Sequence, residues 1–119
     1  MKSKKEIIDY INQNYKAHLS SNNTSYSKVN KSKEVWWFNI PVYKFTQDIN
    51  LLLQIENGVF WIVLPFSFVT SVEKTFKIRQ DKDAVDLEIN AGSNNFLCDV
   101  KSGGTGFSFG EFVKEEVLY

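Results

Sequence analysis

The sequence predicts an α+β fold: an N-terminal helix, about six mostly antiparallel strands in a twisted sheet or open barrel, and a C-terminal amphipathic helix. Three observations predict it. Apolar residues recur at helical spacing over residues 3–17. From Glu34 onward the pattern changes to period two. Near the end, Phe109, Phe112, Val113 and Val117 return to helical spacing. A chain of 119 residues, 43% hydrophobic and carrying ten Phe, five Tyr and three Trp, suits one domain (1–119) with an aromatic core.

Taken in order, Ser3 and Glu6 make a capping box, and Ile7, Ile8, Ile11 and Tyr15 form one stripe, so residues 1–19 read as a helix. Residues 20–33 are rich in Ser, Asn and Lys and read as a flexible, basic, polar linker before a β-rich body at 34–119. Residues 35–45 form a long β segment bent at Pro41. Asn57-Gly58 supplies a type I′ turn between strands at 49–55 and 59–64. That turn pairs Ile55 with Phe60, Leu53 with Ile62 and Leu51 with Leu64 on a core face. Leu52, Val59, Trp61 and Val63 partly cover the other face, which makes the hairpin central in its sheet. The aromatic run 65–69 reads as a cover for an open end of the sheet or a sticky contact. A short strand at 75–79 turns Phe76 and Ile78 inward. After a turn at 80–83, Val85, Leu87 and Ile89 face the core, and Phe96, Cys98 and Val100 answer them on a returning strand. Ser108 and Glu111 form a second capping box, stapled by Phe107 and Phe112, that opens the C-terminal helix.

Composition excludes several chemistries. One cysteine, Cys98, cannot form an intrachain disulfide, and one histidine, His18, excludes His-pair metal motifs. There is no G-x-S-x-G elbow. The longest apolar run is 59–69, broken by Pro65 and Ser67, where a membrane helix needs about twenty residues. The basic N-terminal stretch has no apolar core of a secretory signal, so the reading is a soluble cytoplasmic protein. A formal net charge of zero excludes a uniformly basic nucleic-acid binder. The charge is uneven, however. Residues 1–33 hold seven lysines against two acids, and residues 34–119 hold seven basic against twelve acidic residues. Lys28, Lys31 and Lys33 therefore read as a basic arm toward a phosphate backbone or an acidic partner. Trp36 and Trp37 point to opposite faces of one strand, one into the core and one free to anchor a partner.

One constellation carries candidate chemistry. Pairing 85–89 symmetrically with 96–100 sets Asp86 opposite Asp99, with Lys101 on the same side. Two carboxylates about 4.5–5.5 Å apart at Cβ repel, and a metal ion, a lysine or a shared proton must compensate. Carboxylates hold hard divalent cations through oxygen, and such an ion activates water for phosphodiester hydrolysis. The plain structural alternative is a solvated hairpin face with Lys101 bridging the acids. Gly103, Gly104, Thr105 and Gly106 precede the expected helix, where backbone N–H groups bind anions.

Asp86 followed by Asp99-Val100-Lys101 resembles the PD-(D/E)XK nuclease signature, over residues 86–101 alone. The resemblance implies Asp86 and Asp99 as ligands to Mg²⁺ or Mn²⁺, Lys101 as the catalytic lysine, and Glu6 as the helix-borne acid that some members add. Val85 stands where that family has proline. The leading expectation is a non-catalytic binding module for a protein or nucleic-acid partner, with self-association as a homo-oligomer among the options. The alternatives are a metal-dependent nuclease or nuclease-derived domain and, by fold analogy, a pleckstrin-like barrel that binds a peptide or lipid headgroup.

Overall fold

The computed structural model describes residues 2–66 and 71–119, so most of the aromatic run 65–69 lies outside the described residues. Its first element, α1 (Lys4–Tyr15), starts as its sequence dictates. Ser3 Oγ accepts the Glu6 N–H at 3.2 Å, and Glu6 Oε1 accepts the Ser3 N–H at 2.8 Å. Lys16 ends the helix in the left-handed region, with φ 54°. Ile7, Ile8 and Ile11 form the buried stripe.

Eight strands follow among the described residues, in two four-stranded sheets. The first sheet runs in the order β1 (Thr24–Ser27), β4 (Ile49–Ile55), β5 (Gly58–Leu64), β8 (Val113–Leu118), with β1 parallel to β4 and the other pairs antiparallel. The second runs β2 (Val29–Asn30), β3 (Val35–Pro41), β7 (Ala84–Asn90), β6 (Lys77–Arg79), antiparallel throughout. Ile49, Leu51, Leu53, Ile62 and Leu64 of the first sheet meet Trp36, Phe38, Ile40, Val85, Leu87 and Ile89 of the second in one core. On the outer face of the first sheet, Leu52, Val59, Trp61 and Val117 pack against the α1 stripe. Each such side chain fully removed from water contributes about 1.5–3 kcal/mol. The fold is therefore α+β as expected, but built from eight strands among the described residues rather than about six, as a two-sheet sandwich with α1 outside rather than a single twisted sheet or open barrel, and the strand expected at 75–79 is shortened to Lys77–Arg79 behind a four-residue helix, α2 (Val72–Thr75).

The central hairpin is where it was expected, buried on both faces, but its register differs by two residues. Ile55 pairs with Gly58, Leu53 with Phe60 and Leu51 with Ile62, so Glu56-Asn57 is the turn and Asn57 alone of the two takes positive φ, 59°. Gly58 is drawn into the strand because β8 passes against it: a Cβ there would stand 2.1 Å from the Val117 carbonyl oxygen. An even offset keeps every side chain on its face, so the core assignment survives.

Residues 20–33, read as a flexible linker, carry β1 and β2. Their polar side chains satisfy backbone groups instead of water. Asn23 Oδ1 accepts the Ser20 N–H at 2.8 Å, and Asn30 Oδ1 accepts the Ser32 N–H at 3.1 Å. Asn12 of α1 clamps Leu19 in both directions, at 2.8 and 2.9 Å.

The C-terminal helix is replaced by a 3-10 turn at Gly110–Phe112 and the strand β8. Without β8, the side of β5 facing away from β4 would be an unpaired ladder edge. Val113 and Val117 suit a strand. Between Trp61 and Ile62 the partner moves from Glu115 to Val113, so β8 carries one extra residue, Lys114. The bulge turns Val113 to the main core and Val117 to α1. A bulged strand thus buries residues four apart and imitates helical spacing. The staple contact still forms, with Phe107 and Phe112 stacked at 5.8 Å.

Candidate functional site

Strand alternation places Asp86 and Glu88 on the outer face of β7, opposite the core residues Val85, Leu87 and Ile89. β3 sets Asn39 beside Asp86 and Trp37 beside Glu88, and β6 sets Lys77 on the other side of Asp86. β6 occupies the first half of that β7 edge. Residues 97–100 occupy the second half, through Asn90 N–H to Cys98 O and Val100 N–H to Glu88 O, at 2.9 and 2.8 Å.

This register corrects the expected one. Ile89 lies opposite Asp99, not Phe96, an offset of three residues. Asn95 and Leu97 take positive φ, 58° and 65°, and break the period-two pattern. Leu97 and Asp99 turn inward, while Phe96 and Val100 are exposed. Asp99 does not face Asp86 across a ladder, yet the chain brings Asp86, Glu88, Asp99 and Lys101 together. Lys101 Nζ lies 3.4 Å from Asp86 Oδ2 and 3.6 Å from Glu88 Oε2, and Lys33 Nζ lies 3.2 Å from Glu88 Oε2. The Trp37 indole donates to Asp86 Oδ1 at 2.7 Å. Asp99, 2% exposed, accepts the backbone N–H groups of Glu88 and Lys101 on Oδ1, at 3.2 and 3.1 Å. Its Oδ2 is buried without a hydrogen-bond partner among the described residues. Burial pushes the Asp99 carboxyl above its ordinary range; the two backbone N–H groups offset part of this, and the charges of Glu88 and Asp86 add to it.

The resemblance to the nuclease family implies a divalent ion at these acids, and the residues do not fit one. The Lys101 ammonium already lies against Asp86 and Glu88, and one Asp99 oxygen is engaged by two backbone donors. No group of three or more His, Cys, Asp or Glu side chains among the described residues is arranged to hold a metal. Glu6, the other acid named by that resemblance, is engaged in the cap of α1.

The glycine-rich segment leads into a single bridge pair, Cys98 with Ser108, and not into a helix N-terminus. Gly104 closes over Asp99, where a Cβ would stand 2.6 Å from Oδ2, and Gly103 packs on the Lys77 side chain with φ 94°. Thr105 Oγ1 donates to Thr75 O at 2.9 Å, and Gly106 takes φ 79°. A carboxylate under Gly104 makes this a cover for Asp99, and the expected anion cradle loses the helix end that motivated it.

The two tryptophans divide as adjacent strand residues must. Trp36 is 3% exposed and its indole donates to Gln54 O at 2.9 Å, which makes it a core residue rather than a partner anchor. Trp37 is 46% exposed beside Lys33 and Glu88.

Lys28 and Lys31 reach a different place. With Lys2 they rim a groove of about 1170 Å³ whose other lining residues include Val29, Gln54, Ile55 and Tyr119. It opens at the side of the sandwich where β2 meets the β4–β5 turn. One acid, Glu56, lines it. None of the three lysines has an ion-pair partner among the described residues. The Lys2 ammonium sits 5.5 Å above the Tyr10 ring and 5.4 Å above the Tyr119 ring. Tyr10 and Tyr119 meet edge to face at 5.7 Å. Burial raises the Tyr119 phenol above its ordinary range and neighbouring Tyr26 adds to it, while Tyr26 carries a buried hydroxyl with no partner among the described residues. Lys2 and Tyr119 escape a reading of local pattern because they flank α1 and β8 at opposite ends of the chain. The only signal was the excess of lysine before residue 34.

Compared with protein-family models, curated proteins and solved structures, the chain has no match. No helix among the described residues is long and apolar enough to cross a membrane.

Proposed function

We propose that this chain is a non-catalytic binding module that takes an anionic partner in the groove rimmed by Lys2, Lys28 and Lys31. One observation carries the reading. Three lysines of a basic segment line one concavity that holds one acid, Glu56, and none of the three has an ion-pair partner among the described residues, whereas Lys33 is paired with Glu88 and Lys101 with Asp86 and Glu88. A chain of zero net charge then attracts an anion through local rather than global charge. Calorimetric titration with heparin, a generic polyanion, tests it. Replacing Lys28 and Lys31 together by Glu is expected to weaken binding more than tenfold while the melting temperature stays close to wild type. Equal binding by that variant overturns the reading.

A further inference from the structure

We infer that the occupant of the Lys2–Lys28–Lys31 groove is a single-stranded nucleic acid, an inference that rests on the proposed function. The size of the concavity comes first. About 1170 Å³ lies near the upper end of the roughly 300–1,000 Å³ of pockets that hold one small molecule, so the groove has room for a segment of a chain. Its lining comes second. Cations stand beside flat or apolar surface: Lys2 over the Tyr119 ring, Lys28 and Lys31 on either side of Val29 in the chain, and Ile55 also in the lining. Strand-tracking grooves combine these two features, lysines for successive phosphates and rings on which bases stack. Gln54 and Asn57 add side-chain amides that suit base edges.

An acidic peptide is the competing anionic chain, and the backbone here disfavours it. A peptide gains most of its affinity by extending a sheet edge. Of the strand residues that line the groove, Val29 belongs to β2, which has only two residues, and Asn30 O already accepts the Lys33 N–H at 3.2 Å. Ile55 and Gly58 pair with each other, Gly58 also pairs with Leu118, and beyond the end of β1 at Leu53 the Gln54 carbonyl accepts the Trp36 indole N–H at 2.9 Å, so the ladder a peptide could extend is short. A nucleic-acid strand needs none. Duplex DNA is read by a protruding helix or β-ribbon in its major groove, and this surface is concave.

The test is fluorescence anisotropy of a labelled single-stranded oligothymidine of about 12 nucleotides, within the site sizes such grooves cover. Three phosphate contacts predict a slope of log K against log salt of about −2, and Lys28→Gln is expected to reduce its magnitude by about 0.7. Tyr119→Leu is expected to weaken binding on the order of tenfold, and Tyr119→Phe, which keeps the ring, to restore it. Thermal melts of both variants report whether they fold, and if the leucine variant does not, the salt slope of the oligonucleotide and its reduction in Lys28→Gln carry the test. Poly-glutamate is titrated in parallel. If poly-glutamate binds with dependence on Lys28 while the oligonucleotide does not bind or ignores Tyr119, the nucleic-acid inference falls and the anionic groove stands. If neither polymer binds with dependence on Lys28, both fall.

Discussion

Asp99 is held by the backbone that surrounds it. Its Oδ1 ties the loop after β7 to the Glu88 and Lys101 N–H groups, and its Oδ2 lies buried between the cover at Gly104 and the acids of β7. Burial raises its folded pKa, so across the window from the ordinary Asp value of about 3.9 up to the raised value the folded state binds more protons than the unfolded state. Through this group alone, stability falls as pH rises through that window. Asp99→Asn keeps an acceptor for both N–H groups and removes the charge. It is expected to raise the urea midpoint at pH 7 and to flatten the fall of stability as pH rises above the ordinary Asp range, measured by urea unfolding at each pH. A variant less stable than wild type at pH 7 would show that the charge itself is needed, by the Glu88 and Lys101 N–H groups that donate to it.

At the scale of elements, faces were legible in the sequence and registers were not. The side chains of β4, β5 and β7 are buried where period two puts them, because alternation is a local property of a strand. Pairing depends on what crosses the strand. Gly58 looks like a turn residue until β8 leaves no room for a Cβ, and Asp99 looks like an outward residue until Asn95 and Leu97 adopt positive φ. Phe112, Val113 and Val117 look helical because a bulge at Lys114 reproduces that spacing. The acid–lysine cluster was found with a wrong pairing, since nearness of residues 86 and 101 follows from the chain reversal whatever its register. The groove was half visible, through Lys28 and Lys31. Gly58→Ala gives a direct check on the β5–β8 contact. With 2.1 Å available, the backbones must separate, and a loss of more than about 2 kcal/mol is expected from chemical denaturation. A near-neutral result would mean that β8 docks loosely.

The whole molecule is closed by partners distant in sequence. β1 at Thr24–Ser27 pairs with β4 at 49–55, β3 with β7, and β8 at Val113–Leu118 with β5. Such non-local pairing places refolding in the millisecond-to-second range, slower than helical domains of this size. Stopped-flow fluorescence is expected to show this, with Trp36 and Trp61 reporting the core and the α1 face. Refolding in microseconds would contradict the topology.

Lys28 is the single residue between β1, at the edge of one sheet, and β2, at the edge of the other. The backbone therefore crosses from one layer to the other in one step, with Ser27 Oγ accepting the Trp37 N–H at 3.1 Å beside the crossing. That crossing is a seam where a single residue joins the two layers. A polyanion lying over Lys28 and Lys31 bridges the seam from outside, so occupancy would make the sandwich harder to pull apart as well as harder to melt.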